Sequence, residues 1–374
     1  MAGYSGTPLF QKLGIKAGNV RVYVGTYTRG RSKGIYLLDL DLETGALRSR
    51  GLAAKSDSPS FLAVHPSRGT LYAVNSVAKF GGRDGGGVSA FRIDPNKRRL
   101  KLINSRPSLG AGPCYVALDS AGRNALVSNY AGGSVAVLPI DSDGSLGEAT
   151  AFVQHEGSSV NPKRQEGPHA HSMNLDAGDR FALAADLGAD KVFVYRFDPK
   201  TGTLAPNDPA FAALKAGAGP RHLTFHPGGT HVYVVNELDL TVTVFSYDAA
   251  HGVLSEVQTV STLPGDAEPG YSTAEIRVHP TGRFLYASNR GHDTIAVFAI
   301  DPNSGELSSV EHAPTLGRTP RHFAIDPAGR FLLAANQDSD SVVVFRIDQE
   351  TGGLTPTGET ASVPSPVCIR FVQQ

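Results

Sequence analysis

An arginine and a glutamate bracket what reads as a pair of adjacent strands: Arg221 in "GPRHLTFHP", Gly219 to Pro227, and Glu237 in "NEL" at the exit. Two more groups of the same chemical kind stand far off in the chain, His171 near the end of "NPKRQEGPHAHS" and Arg290 in "SNRG". An imidazole or a carboxylate can take a proton in a reaction, and guanidinium groups offer paired donors that match an oxyanion, a carboxylate or a phosphate. Gathered at one place, the four could run acid/base chemistry on a carbonyl compound. Only the fold can gather them.

Other residues qualify as binding groups: His169, Arg321, Asn236, Asn289, Gln337 and Tyr130. His169 and His171 on extended backbone would present two imidazoles on one side, as a metal site needs, but no third ligand stands near them. No metal and no cofactor is expected. His155, His222 and His322 read as structural residues that pack or bond to strand backbone. The chain has no GxSxG elbow, no GxxxxGKS phosphate loop and no HExxH helix, which argues against a serine-triad hydrolase, a nucleotide-binding loop and a zinc protease.

Composition narrows the class further. The 374 residues are 40% hydrophobic and 19% charged, enough to bury a sizeable core. Lys plus Arg equals Asp plus Glu at 35 each, so no global field draws in nucleic acid or anionic lipid. The only cysteines, Cys114 and Cys368, sit beside apolar strand residues and read as buried free thiols. The first residues, "MAGYSGTPLFQKLGIKAG", lack an apolar secretory core, and no long apolar run follows, so a cytoplasmic protein away from membranes is expected. A monomer or a weak homo-oligomer suits it.

The 42 Gly and 24 Pro fit many tight turns between short strands. Those turns recur. Strand ends at Thr26, Asn75, Asn129, Asp186, Asn236, Asn289 and Asn336 lie 47 to 57 residues apart, and each unit holds four alternating apolar stretches. Seven four-stranded antiparallel units predict an all-β, seven-bladed β-propeller. The first unit lacks its first strand, and "SPVCIRFV" near the C-terminus is a first strand without a unit. Pairing them closes the ring and removes its exposed edges. The expected division is an extension over residues 1–18 and one propeller domain over 19–374.

Fifteen residues before each strand-ending Asn or Asp stand Ser60, Cys114, His171, Arg221, Ala274 and Arg321. Directly after it stand Ser76, Tyr130, Leu187, Glu237, Arg290 and Gln337, with Tyr27 as the counterpart in the first unit. The start of one strand and the end of its antiparallel partner share one end of a sheet, so both rings collect around one mouth of the central channel. The Asn residues themselves suit the turns that follow.

Together "RQEGPHAHS", "GPRHLTFHP", "YVVNELDLTVTVF", "YASNRGHDTIAVF" and "TPRHFAIDPAGRFLLAANQ" resemble the lactonase family of seven-bladed propellers, over nearly everything from Val20 onward. That family includes bacterial 6-phosphogluconolactonases and fungal carboxymuconate cyclases. The resemblance implies that His171, Arg221, Glu237 and Arg290 form the active site. It implies hydrolysis of a sugar lactone, foremost 6-phosphogluconolactone to 6-phosphogluconate in the pentose phosphate pathway, with a small-molecule lactone as the partner. Glu237 or His171 would be the base, and Arg221 and Arg290 would hold the oxyanion or a phosphate. A muconate-type lactonizing cycloisomerase is the alternative in the same class, and a non-catalytic ligand- or protein-binding propeller the alternative outside it. In the sixth unit "GYSTAEIRVHP" replaces the usual Gly-Pro opening, a departure expected to leave the site untouched.

Overall fold

In the computed structural model, residues 18–94 and 99–372 are described. The proposed extension, apart from Gly18, lies outside them. Seven four-stranded antiparallel sheets follow one another along the chain. Blades 2 to 7 start with inner strands Leu62–Val64, Pro113–Leu118, Ala170–Leu175, Pro220–Phe225, Ser272–Val278 and Pro320–Ile325. Blade 1 borrows its inner strand, Pro366–Val372, which pairs antiparallel with Asn19–Thr26 from Arg21↔Val372 to Thr26↔Pro366. Each inner strand packs against those of the two adjoining blades, so the seven line one channel.

Apolar alternation explains the stacking. In blade 5 the second strand His231–Asn236 reads HVYVVN, and its Val, Tyr and Val residues are fully buried between sheets. The aromatic of this strand carries a polar handle that is used the same way in three blades. Tyr72, Tyr233 and Tyr286 donate to the carbonyls of Gly144, Gly305 and Gly352, turn residues of the next blade, at 3.0, 3.0 and 2.8 Å. Each such bond contributes about 1 kcal/mol and fixes blade against blade. The Asn at the strand end is also structural. Asn129, Asn289 and Asn336 donate to the carbonyls of Ser108, Thr262 and Thr315, anchoring the start of the blade-to-blade link.

At the channel mouth the inner strands depart from regular pairing. The register jumps between Pro113 and Tyr115, Ala170 and Ser172, Pro220 and His222, and Pro320 and His322. Cys114, His171, Arg221 and Arg321 are therefore each the unpaired residue of a β-bulge. Such a bulge bends the strand and re-aims one side chain, here next to the channel. Blade 6 skips two residues between Thr273 and Ile276, leaving both Ala274 and Glu275 outside the ladder.

Candidate active site

The mouth on the bulge side opens into a cleft of about 750 Å³, lined among others by Tyr27, Tyr130, His171, Glu237, Arg290 and Arg321. At its centre Glu237 is only 4% exposed. Three guanidinium groups hold its carboxylate. Arg164 Nη2 donates to Oε1 at 2.6 Å, Arg221 Nε to Oε2 at 2.9 Å, and Arg290 Nη2 lies 3.1 Å from Oε2. Burial pushes this carboxyl up, but Arg290, Arg221 and Arg164 together drive it well below the ordinary range. Glu237 is thus ionised with both oxygens engaged.

Arg221, 2% exposed, does not line the main cleft. It spends its other donors on the Ala274 carbonyl and on His222 Nε2. Burial, then the nearby Arg321 and Arg290, push its guanidinium down to about 10, so it still carries its charge at neutral pH. It acts from beneath, aiming the Glu237 carboxylate. Arg290 does line the cleft, and its Nε has no hydrogen-bond partner.

His171 forms part of the wall. The Cys114 thiol lies 3.3 Å from the His171 carbonyl and 3.7 Å from Nδ1. Giving the thiol hydrogen to the carbonyl places the ring proton on Nδ1 and leaves Nε2 as an acceptor, a tautomer assigned from these contacts. Burial, then the Arg221 charge, holds the imidazole well below its usual pKa, so it is neutral. The thiol itself is pushed up to about 12 by burial and is no nucleophile at neutral pH.

The link before blade 4 completes the wall. Asp186 stands where most blades have Asn, and its Oδ1 accepts from the amides of His169, Gly188 and Ala189 at 2.7 to 3.1 Å. Its Oδ2 faces His155 Nδ1 at 2.6 Å, which accounts for that buried histidine. Gly188 is required here, since a Cβ on it would sit 1.8 Å from the Gly167 carbonyl oxygen. So pinned, the link delivers Arg164, whose Nη2 also donates to the Tyr130 hydroxyl at 3.1 Å. His169 Nδ1 donates to the Tyr130 carbonyl at 2.9 Å, and its ring stacks on Tyr130 at 4.6 Å. It supports the wall without lining the cleft.

Three of the expected binding residues point elsewhere. Asn236 is fully buried and donates to Thr241 and Thr243 of the third strand. Asn289 is equally buried on Thr262 and Thr294. Gln337 opens a 3₁₀ turn, Gln337–Ser339, that directs its amide to Asp338 rather than to the cleft. Conversely, Arg164 and Arg29 line the cleft without having been expected at the mouth, and Tyr27 and Ser76, which the ring placed there without a binding role, line it too. Arg164 had a signal, being a basic residue in "NPKRQEGPHAHS", the stretch that carries His171.

Beneath the mouth lies a second charged layer. Glu275, 1% exposed, places Oε1 3.2 Å from His222 Nδ1 and Oε2 3.1 Å from His322 Nε2. Arg277 Nη2 approaches Oε1 at 3.4 Å, and Arg370 Nη1 lies 3.1 Å from His322 Nε2. Because His222 accepts from Arg221, this carboxylate orients the support under Glu237. The opening of blade 6 therefore does reach the site, contrary to expectation, because Glu275 occupies the inner-strand position that His222 and His322 hold in blades 5 and 7 and meets both of them in the channel.

The three inner imidazoles make acid stability a test of this arrangement. Burial, then neighbouring guanidinium charge, depresses His171 and His222; for His322 burial again dominates, with Glu275 opposing and Arg370 adding to it. An unfolded histidine titrates near 6.5, so below that pH the unfolded chain binds protons that the folded one refuses. Stability should therefore fall as pH drops below 6.5, by up to about 1.4 kcal/mol per pH unit for each imidazole. Glu237 has the depressed-carboxylate sign: its contribution is present above 4.5 and is lost only in stronger acid. Urea midpoints across pH 5 to 7.5 measure this; a flat profile would mean the imidazoles are freely protonated in the fold.

Among the described residues no cluster of metal-ligating side chains occurs, and no helix is long and apolar enough to cross a membrane. Comparison with known proteins gives a consistent picture. The family described as "Lactonase, 7-bladed beta-propeller" matches residues 21–371. The 6-phosphogluconolactonase of Bacillus subtilis is 40% identical over 352 residues, covering 94% of this chain and 98% of that protein. The 6-phosphogluconolactonase of Formosa agariphila is 34% identical, covering 81% and 86% respectively. Among solved structures, the periplasmic gluconolactonase of Pseudomonas aeruginosa superposes with a TM-score of 0.88 at 38% identity, over 95% of this chain and 99% of that one.

Proposed function

This chain belongs to the lactonase family of seven-bladed β-propellers, and from that premise we propose that it hydrolyses a sugar lactone, 6-phosphogluconolactone foremost, at the channel mouth. The observation that carries the mechanism is the division of labour between the two candidate bases. Glu237 has both oxygens occupied by guanidinium groups, whereas His171 is neutral with Nε2 unspent. His171 is the group able to accept a proton.

In the reaction, His171 takes a proton from water as the water oxygen bonds to the lactone carbonyl carbon. The carbonyl oxygen becomes an oxyanion, and Arg290, from its place in the cleft wall, supplies donors to it. The imidazolium so formed is a strong acid, because burial and Arg221 disfavour it. It returns the proton to the ring oxygen as the C–O bond breaks, giving a hydroxyl and a carboxylic acid that ionises at neutral pH. Each turnover thus releases one proton. Lactones of this kind open unaided in water, so a modest site without a covalent intermediate suffices.

All the proposed groups come from one chain, so a monomer or weak homo-oligomer is competent. A cytoplasmic setting accords with a phosphorylated substrate. Proton release in a pH-stat with 6-phosphogluconolactone and glucono-1,5-lactone tests the reading. Turnover of either above the spontaneous rate is expected, with the open-chain acid as product. A rate equal to background for both would refute it.

A further inference from the structure

The charges of the cleft are unevenly paired. Four guanidinium groups line it, Arg29, Arg164, Arg290 and Arg321, against the carboxylates of Glu237 and Asp84. Glu237 engages Arg164 and Arg290, with Arg221 behind, and Asp84 faces Lys79 at 4.0 Å. Among the described residues, no carboxylate lies within ion-pair distance of Arg29 or Arg321, and neither makes a hydrogen bond. What they share is the ring of Tyr27, whose centroid is 5.9 Å from the Arg29 guanidinium carbon and 5.3 Å from that of Arg321.

A lactone ring is uncharged and gives such cations nothing to neutralise. Burial works against the Arg321 charge, and Tyr27 and the more distant Glu237 sustain it, but no acceptor touches the guanidinium, whose donors are left for a ligand. Two unpaired guanidinium groups beside one ring match a phosphate monoester, which carries about −1.5 to −2 charge and three acceptor oxygens. We propose that Arg321 and Arg29, positioned by Tyr27, form the subsite for the substrate's phosphate, and so decide between phosphorylated and plain lactones. This rests on the lactonase reading above. It transfers anion recognition from Arg221 and Arg290, which the Glu237 clamp engages, to blades 7 and 1, while blades 3 to 6 surround the reacting carbonyl.

The test compares kcat/KM for 6-phosphogluconolactone and glucono-1,5-lactone in wild type, Arg321→Ala, Arg321→Lys and Arg29→Ala. In Arg321→Ala the preference for the phosphorylated lactone should fall by about 10- to 100-fold, the worth of charge-assisted bonds to one guanidinium, chiefly through KM. Arg321→Lys should recover part of it. Arg29→Ala, at the exposed rim, should act in the same direction and secures the result if Arg321→Ala does not fold. Equal losses on both lactones, or a wild type that prefers the plain lactone, would overturn the subsite and leave lactone hydrolysis standing. If wild type turns over neither, the lactonase reading fails. Calorimetric titration of 6-phosphogluconate into wild type and Arg29→Ala then still decides the subsite, with weaker binding to the variant expected and equal binding overturning it.

Discussion

His171→Ala is expected to lower kcat for lactone hydrolysis by about 100- to 10,000-fold, the usual consequence of removing a general base. The expectation follows from which lone pairs are available at the cleft. Nε2 of His171 is uncommitted by the tautomer its Cys114 contacts favour, and the ring is neutral because burial and Arg221 penalise its charged form. A base so depressed is a weak one, but it is fully in its active form at neutral pH, and its conjugate acid readily gives the proton to the departing ring oxygen. The pH profile is therefore part of the prediction. In wild type, kcat/KM should show no acid limb near the ordinary histidine value, with the limb displaced to well below it. Near-wild-type turnover in His171→Ala, with the variant folded by circular dichroism, would remove the imidazole from the proton path.

Much of this arrangement was legible in the chain. Seven strand-ending Asn, Asp or Thr residues at similar spacing marked the blades, and a first unit short of its first strand, with an orphan first strand near the C-terminus, foretold the Pro366–Val372 closure seen against Asn19–Thr26. The two rings of residues also located the mouth. Less legible was the bulge, because an unpaired residue leaves no mark in hydrophobic alternation. Cys114, His171, Arg221 and Arg321 face the channel through their shared bulge, not through simple strand parity. Glu275 escaped notice because it stands one residue past the ring at Ala274, in the deeper layer that it shares with His222 and His322. Asn236 and Asn289 were a different matter. Neighbouring residues on a strand point to opposite sides, so an Asn adjacent to a cleft-facing Glu237 or Arg290 should turn into the blade, as both do.

Glu237→Gln should damage stability and catalysis together, and that coupling separates a clamp from a base. The amide keeps the shape of the carboxylate but loses its charge, and its NH₂ group must face a guanidinium donor on one side or the other. Arg221, 2% exposed and already destabilised by Arg321 and Arg290, then has no carboxylate beside it. Removing one partner of a buried charge cluster typically costs about 3–5 kcal/mol, and here three guanidinium groups depend on one carboxylate. Arg290 and Arg164 would drift from the cleft wall, so kcat should fall even though the proposed mechanism routes no proton through Glu237. Glu237→Asp, which keeps the charge on a shorter stem, should regain more of the urea midpoint than of kcat. If instead Glu237→Gln abolished turnover with an unchanged midpoint, the carboxylate would be the base, and His171 would be left to shape the wall.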